Sequence, residues 1–473
     1  MKRTKIICTM GPRTDNEDLM RKLMKTGMDI ARFNFSHGDH EEQKARMDLL
    51  KKVRKEMKLP IAILLDTKGP EIRTGLLENG QKVMLQEGDT FTLTTEEIVG
   101  NNKRCYQTYQ DLNKDVKPGD TILIDDGLIQ LTVEEVTDTD VVCRIVNGGE
   151  LGQRKGINVP NVDVKLPAIT EQDKKDILFG ISQGIDFIAA SFVRSSDAIK
   201  QIKELLHENG GDGIDVIAKI ENAEGVKNID KIIKAADGIM VARGDLGVEI
   251  PAHEVPHIQK MIIQKCNESY KPVITATQML DSMIRNPRPT RAEVTDVANA
   301  IYDGTDAIML SGETAMGKYP VQALQMMSRI AEHMEQNIDY NAIFKKTDRN
   351  ENPDITNAIA HATCLTAIDL KASAILAVTK SGSTAYMMSK HRPGCLIGAC
   401  TSSERVLRQL NLSWGVYPML IKEEYSSEIL CLRAIEAAQK HKLVKVGDTV
   451  VFAGGVPLGI PGRTNLIRVC TVD

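Results

Sequence analysis

Short apolar runs and amphipathic stretches alternate near the start of the chain. KIICTMG (5–11) is followed by NEDLMRKLMKTG, where Leu19, Leu23 and Met24 recur at helical spacing and Gly27 ends the pattern. DIARFNFSH (29–37) leads into the charged stretch EEQKARMDLLKKVRKEM, and IAILLDT (61–67) is a third apolar run that closes on polar residues. Strand, helix, strand, helix, strand predicts parallel pairing. From about Glu71 to Lys165 the period changes to two. TFTLTT, DTILID, LIQLTVEEV and VVCRIV read as short strands separated by EGD, PGD, DDG and NGG turns, with no amphipathic helix among them.

The βα rhythm returns with TEQDKKDILFGISQG, DFIAASFV, a helix through about Leu206, VIAKIE and a helix to Ala236. GIMVARGDLG, a helix over 253–270, PVITATQ, RAEVTDVANAIYDG, DAIMLSGE and a helix near 320–337 continue it. Three strands before the all-β stretch and five after it make eight βα units. That count predicts an α/β fold of the (β/α)8 TIM-barrel type, with an open doubly wound sheet as the alternative. The polar stretch NAIFKKTDRNENP (341–353) reads as a linker. Beyond it ASAILAVTK, STAYMMSKHR, CLIGACT, SSERVLRQL, VYPMLI, a helix over 427–440, TVVFAGG and NLIRVCTV form a second α/β series. The expected organisation is a barrel domain in two parts, 1–70 and 166–340, an all-β domain at 71–165 inserted after strand 3, and a C-terminal α/β domain at 354–473.

Composition narrows the class without selecting an activity. Of 473 residues 42% are hydrophobic and only 4% aromatic, so the cores must be built from aliphatic side chains and Met. Lys+Arg 60 against Asp+Glu 64 leaves −4, which gives no overall field toward nucleic acid or an anionic membrane. The nine cysteines include no C-x-x-C pair, which argues against a zinc cluster or a disulfide framework. The apolar run after Met1-Lys2-Arg3 is too short for a signal peptide, and no run approaches the ~20 residues of a membrane helix. A soluble, cytoplasmic, multidomain protein is expected.

In a (β/α)8 barrel, function sits where strand C-termini meet the following loops. At period two, Arg32, Asn34 and Ser36 share one face of strand 2, and strand 3 closes on Asp66 and Thr67. Oxygens from Asn34, Ser36, Asp66 and Thr67 suit a hard monovalent cation such as K⁺; Asp66-Thr67 equally suits the start of a turn. Lys219 and Glu221 share a face of strand 5, and strand 6 is expected to end in Arg243-Gly244-Asp245. Glu221 and Asp245 fit Mg²⁺ or Mn²⁺ completed by substrate and water oxygens, with Lys219 a fixed charge for a phosphoryl group or an enolate. A bare Lys219–Glu221 ion pair is the plainer account. Strand 7, Thr275-Ala276-Thr277-Gln278, is expected to offer an in-facing hydroxyl pair. Thr290 and Glu293 have capping-box spacing, and Met279 and Met283 the spacing of packing residues. In the last domain Thr379, Lys380, Ser381, Gly382, Ser383 and Thr384 lie between a strand and a helix, where they could cradle a phosphate or simply cap the helix.

The stretches ARFNFSHG, LLDTKGPEIRTG, IAKIENAEG, MVARGDLGVE, ITATQMLDSMI and NPRPTRAEVTDVANAI, in this order and spacing, resemble the pyruvate kinases from end to end. The resemblance implies the same three-domain layout and phosphoryl transfer from phosphoenolpyruvate to ADP. It implies that Lys219 and Arg32 neutralise the transferring phosphoryl group and the nascent enolate, and that Glu221 and Asp245 hold the divalent ion. The backbone of Gly244 and Asp245, with Thr277, would hold the substrate carboxylate, Thr277 also lying near the carbon that gains a proton. Asn34, Ser36, Asp66 and Thr67 match the monovalent-cation site, and Glu71 the version that needs K⁺. Asn34, His37, Arg73 and Lys155 (in RKGIN) match nucleotide contacts. Loop 379–384 resembles the effector-phosphate loop of sugar-phosphate-activated members, reading S-G-S-T where some have S-G-R-S, so Ser383 leaves the effector's identity open. The family is usually homotetrameric. Two other classes remain open on the residues alone: a metal-dependent C–C lyase working through a pyruvate enolate, and a non-catalytic phosphosugar sensor.

Overall fold

The structure is a computed structural model that describes residues 1–346, 354–458 and 462–473. Eight parallel strands close on themselves in chain order: β1 (Lys5–Thr9), β2 (Ile30–Asn34), β3 (Ala62–Asp66), β4 (Phe187–Ala190), β5 (Asp215–Ile220), β6 (Gly238–Ala242), β7 (Val273–Ala276) and β8 (Ala307–Leu310). The arrangement is a closed barrel, not an open sheet. Its strands are buried on both faces, which is why they read as continuous apolar runs. They sort by parity: Ile7, Leu64, Phe187, Ile217 and Ile274 fill the interior, while Ile6, Leu65, Ile188, Val216 and Val273 face the helices. Several of the helices begin on capping side chains, among them Asn16, Asp39 and Thr170. Thr290 and Glu293 form the expected capping box, with Thr290 N–H donating to Glu293 Oε2 at 2.7 Å and Glu293 N–H to Thr290 Oγ1 at 3.2 Å. Met279 and Met283 are fully buried.

Between β3 and β4 the chain leaves the barrel to build a seven-stranded sheet and a two-stranded pair around a separate core that includes Phe91, Leu93, Ile122, Leu131 and Val141. The four expected strands lie at Thr90–Thr94, Thr121–Ile124, Ile129–Val136 and Asp140–Asn147. The sheet also recruits Ile72–Arg73, Arg104–Tyr106 and Gly156–Asn158, pieces too short to carry a period, and holds one helical turn at Leu112–Asp115.

The stretch expected as a linker is helical over Tyr340–Lys346, where Phe344 buries into the C-terminal core; 347–353 lies outside the described residues. The last domain is a five-stranded sheet of β9 (Ala374–Val378), β10 (Leu396–Thr401), β11 (Val416–Leu420), β12 (Thr449–Gly454) and β13 (Leu466–Thr471), ordered β11-β10-β9-β12-β13 with only β13 antiparallel. Among the described residues, no helix is long and apolar enough to cross a membrane.

The barrel floor has a repeated design. Asp29, Asp186, Asp237 and Asp306 each stand immediately before an even-numbered strand. Each carboxylate accepts an N–H at the foot of the preceding odd strand: Ile6 at 2.7 Å, and Ile63, Val216 and Val273 at 2.9 Å. Each also meets a cation: Lys2, Arg408, Lys203, and Lys390 together with Arg392. The cations on Asp186 and Asp306 belong to the last domain, whose Leu412 also joins the barrel's interior core. The C-terminal domain is therefore plugged into the floor and clamped at β4 and β8, strands that lie opposite one another.

Asp215, at the foot of β5, is less well compensated. Burial, then the Asp237 charge, pushes its carboxyl up to about 7 against the pull of Lys203. A raised carboxyl gives stability that is whole below the unfolded value and lost as pH rises through the folded one. Asp215→Asn should therefore match wild type in thermal melts near pH 4, gain as the pH rises to about 7, and level off at roughly 1–3 kcal/mol above that. A difference independent of pH would refute this.

Candidate active site

The barrel interior is apolar at the floor and turns polar at the C-terminal mouth, because inward-facing series end in chemistry. Ile30 is followed at period two by Arg32 and Asn34, Leu64 by Asp66, Ala189 by Ser191, and Ile217 by Lys219 and Glu221. Arg32 Nε donates to Asp66 Oδ2 at 2.7 Å and Arg32 Nη1 to Thr9 Oγ1 at 3.0 Å. Lys219 Nζ lies 3.0 Å from Asp66 Oδ1, 3.0 Å from Glu221 Oε1 and 2.7 Å from Ser191 Oγ. Glu221 Oε2 accepts the Phe192 N–H at 2.6 Å. Arg32 and Lys219 are 8% exposed, Asp66 and Glu221 only 1%.

Charges this deep stay ionised only in company. Burial works against ionisation of Asp66, but the Arg32 and Lys219 charges outweigh it and hold the carboxyl below its ordinary range. Burial likewise opposes the Lys219 ammonium, which the Asp66 and Glu221 charges hold above its ordinary range. Glu221 is the member left strained: burial, with the Asp245 charge behind it, pushes its carboxyl up to about 7 against Lys219. Two cations, Arg32 and Lys219, thus face three carboxylates, Asp66, Glu221 and Asp245.

The far wall differs from expectation. β6 stops at Ala242, and Arg243-Gly244-Asp245 opens the short helix Arg243–Glu249. On β7, Ile274 and Ala276 line the interior, so Thr275 points away from it and bonds Thr305 Oγ1 at 3.0 Å. No in-facing hydroxyl pair forms there. Thr277 reaches the mouth by leaving the strand: its φ of 68° and the 53° of Gln278 turn the chain through the left-handed region, an outlier for a β-branched residue. Arg243 Nη2 holds the Thr277 carbonyl at 2.7 Å, and Gly244 N–H donates to Thr277 Oγ1 at 2.7 Å.

Asn34 and Asp66 are partners in the β2–β3 ladder, with Ser36 and Thr67 just beyond. All four stand at neighbouring strand ends, and three side chains are already engaged locally: Asn34 Oδ1 accepts the Ser36 N–H at 3.1 Å, Asp66 meets Arg32 and Lys219, and Thr67 Oγ1 accepts the Ser191 N–H at 3.1 Å. A cleft of about 510 Å³ opens between the inserted sheet and the barrel. Arg73, Asp125, Asp126 and Lys155 line it on one side, Arg194, Asp245 and Glu249 on the other. Arg73 Nε lies 2.5 Å from Glu71 Oε2, and Lys155 Nζ 2.9 Å from Asp125 Oδ1. Asn158 Nδ2 crosses the cleft to Glu249 Oε1 at 2.7 Å. Neither Asn34 nor the exposed His37 is in its lining.

In the last domain Thr379, Lys380, Ser383 and Thr384 line a second cavity with Thr401 and Ser402; Ser381 and Gly382 stand outside it. Lys380 Nζ pairs with Glu423 at 3.2 Å, and Thr379 Oγ1 accepts the Gly382 N–H at 2.9 Å. The open volume is about 90 Å³.

Thr9, Ser191 and Asp126 are among the site groups not singled out by sequence. Thr9 and Ser191 were within reach, since each closes a strand-like run, KIICT and DFIAAS. Asp126 owes its place to a turn that no local pattern announces.

A (β/α)8 enzyme with a buried ammonium, guanidinium and carboxylate cluster beneath a charge-lined cleft is the class this geometry defines, one built for anionic substrates. Protein-family models for the pyruvate kinase barrel domain and the pyruvate kinase alpha/beta domain match residues 1–324 and 357–470. The pyruvate kinase of Clostridium acetobutylicum is 52% identical over 100% of both chains, and that of Geobacillus stearothermophilus 52% identical over 100% of this chain and 81% of its own. A crystal structure of a pyruvate kinase from Cryptosporidium parvum, 40% identical, superposes with a TM-score of 0.96 over 100% of this chain and 96% of that one. The chain belongs to the pyruvate kinase family, and its reaction is transfer of the phosphoryl group of phosphoenolpyruvate to ADP, giving pyruvate and ATP.

Proposed function

We propose that the buried cluster at the barrel mouth carries this reaction, with Lys219 and Arg32 facing the transferring phosphoryl group. The observation that supports the reading best is the Lys219 ammonium, kept charged in a buried site 2.7–3.0 Å from three oxygens. Phosphoryl transfer asks a protein for position and charge more than for covalent help. As the bridging C–O–P linkage breaks, the phosphoryl group passes to a terminal oxygen of ADP and the electron pair stays on the enolate oxygen. Lys219 and Arg32 offset the charge developing at both ends. The enolate then takes a proton at carbon, on a route that passes Thr277 or a water it orders. The substrate carboxylate is read as lying at the Gly244 and Asp245 backbone, sharing the Gly244 N–H with Thr277 Oγ1.

Glu221 and Asp245 fit a divalent cation, Mg²⁺ or Mn²⁺. The cluster carries one more carboxylate than cations, and Glu221 is strained toward its neutral form by burial and then by Asp245. A divalent ion held there would supply two positive charges against the developing anion. Asn34, Ser36, Asp66 and Thr67, together with Glu71, would hold K⁺. Arg73 and Lys155 reach the nucleotide phosphates from the inserted domain (71–165), with His37 and Asn34 approaching from the barrel. That domain, joined to the barrel by two crossings of the chain, closes over the nucleotide and excludes water. Loop 379–384 of the C-terminal domain (354–473) takes an effector phosphate, for which the Lys380–Glu423 pair must open. The family supports a cytoplasmic homotetramer.

A lactate-dehydrogenase-coupled assay with single omissions tests the reading. ATP formation should require phosphoenolpyruvate, ADP, a divalent cation and K⁺ together, and at subsaturating phosphoenolpyruvate it should rise with fructose 1,6-bisphosphate, AMP or ribose 5-phosphate. Full turnover without either cation would overturn the cation assignments. Turnover of a 2-oxo acid without ADP would favour a lyase.

A further inference from the structure

We propose that Ser191 is a positioning residue for Lys219, the neutral acceptor that aims its ammonium at the phosphoryl group; this rests on the reading of Lys219 given above. An ammonium has three protons to place. Those of Lys219 meet Asp66 Oδ1 at 3.0 Å, Glu221 Oε1 at 3.0 Å and Ser191 Oγ at 2.7 Å, the shortest of the three. The two carboxylates are shared, Asp66 with Arg32 and Glu221 with the Phe192 N–H. They also cancel the charge that the substrate must meet. A hydroxyl orients the ammonium without cancelling it.

Ser191 is held so that its lone pairs face Lys219. Its one proton goes to the Thr67 carbonyl at 2.6 Å, in preference to Asp66 Oδ1 at 3.2 Å. Its N–H donates to Thr67 Oγ1 at 3.1 Å, and the Thr67 N–H to the Ala189 carbonyl at 3.0 Å, so the ends of β3 and β4 are stitched together at this corner. Gly69, at a φ of +74°, leaves the room: a Cβ there would stand 2.8 Å from Ser191 Cβ. The next residue is strained to the same end. Phe192 has a φ of 53°, left-handed for an aromatic residue, and that turn delivers its N–H to Glu221. Consecutive residues thus aim one group at each member of the Lys219–Glu221 pair. Local strain at such a corner persists where the surrounding contacts fix it.

The test compares wild type, Ser191→Ala and Ser191→Thr in the coupled assay, and Ser191→Ala placed in a Lys219→Met background. Losing a hydrogen bond to a charged group should lower kcat roughly 10- to 100-fold in Ser191→Ala, with the KM for ADP within about twofold of wild type. Ser191→Thr keeps the hydroxyl and should recover most of the rate. With no ammonium left to aim, Ser191→Ala should change the residual rate of Lys219→Met less than about twofold. Should Ser191→Ala fold poorly, Ser191→Cys replaces it, nearly isosteric and a weak acceptor, and should lose rate as Ser191→Thr does not. Equal losses in both backgrounds, or an active wild type with Ser191→Ala near it, would overturn the proposal alone. A wild type that forms no ATP would overturn the reading of Lys219 and this proposal with it.

Discussion

Lys219→Met should lower turnover by roughly three orders of magnitude or more while phosphoenolpyruvate binding falls no more than about tenfold. Met matches the length of the lysine stem but carries no charge, so the change removes the ammonium and little of the packing. Asp66 keeps its Arg32 partner at 2.7 Å, and Glu221 keeps the Phe192 N–H. On the proposed assignment, binding should survive because Arg32 and a cation held by Glu221 and Asp245 would still meet the substrate's oxygens. Turnover should not, because the proposed fixed charge opposite the developing phosphoryl and enolate anions would be gone. The coupled assay measures the first and titration calorimetry with Mg²⁺ the second. Activity near wild type would refute the charge-neutralising role.

The largest loss of stability is expected at the other end of the barrel. Asp306→Ala strips the partner from Lys390 and Arg392, which are 5% and 6% exposed, and takes away the cap on the Val273 N–H. Burial already draws the Lys390 ammonium below its ordinary range against the pull of Asp306. Leaving such cations unpaired costs about 3–5 kcal/mol. Denaturant titration of Asp306→Ala should show that loss, together with faster proteolytic separation of the last domain. Asp306→Asn, which keeps the shape and the cap, should fall between it and wild type. A change under about 1 kcal/mol would mean that the clamp at β8 contributes little.

How much of this was legible in the sequence depended on whether the signal was local. The eight strands could be counted because parallel strands buried on both faces leave unbroken apolar runs, and the insert declared itself by a change of period. Arg32, Lys219 and Glu221 could be placed together because period two fixes which face a strand residue takes. The same rule failed at Thr275 and Thr277, since it assumes the strand continues, and a left-handed turn at Thr277 is not written in TATQ. Arg243-Gly244-Asp245 was misread because a strand that passes straight into a helix leaves no break in the pattern. The helix over Tyr340–Lys346 was hidden by polar neighbours around a single anchor, Phe344. The bonds of Ser191 and Asp306 join residues 28 and 84 positions apart, and nothing short-range announces them.

The four aspartates of the floor divide the barrel into two kinds of ending. At one mouth the same carboxylate, the same capped N–H and the same flanking cation recur every second strand, a motif used four times with small variations. At the other no strand end repeats its neighbour: a guanidinium, an aspartate, a serine, a lysine with a glutamate, a threonine turned out of line. Closure of the sheet is secured by repetition at the floor. The opposite rim is thereby relieved of that repeated duty, and its positions hold something different from one strand to the next.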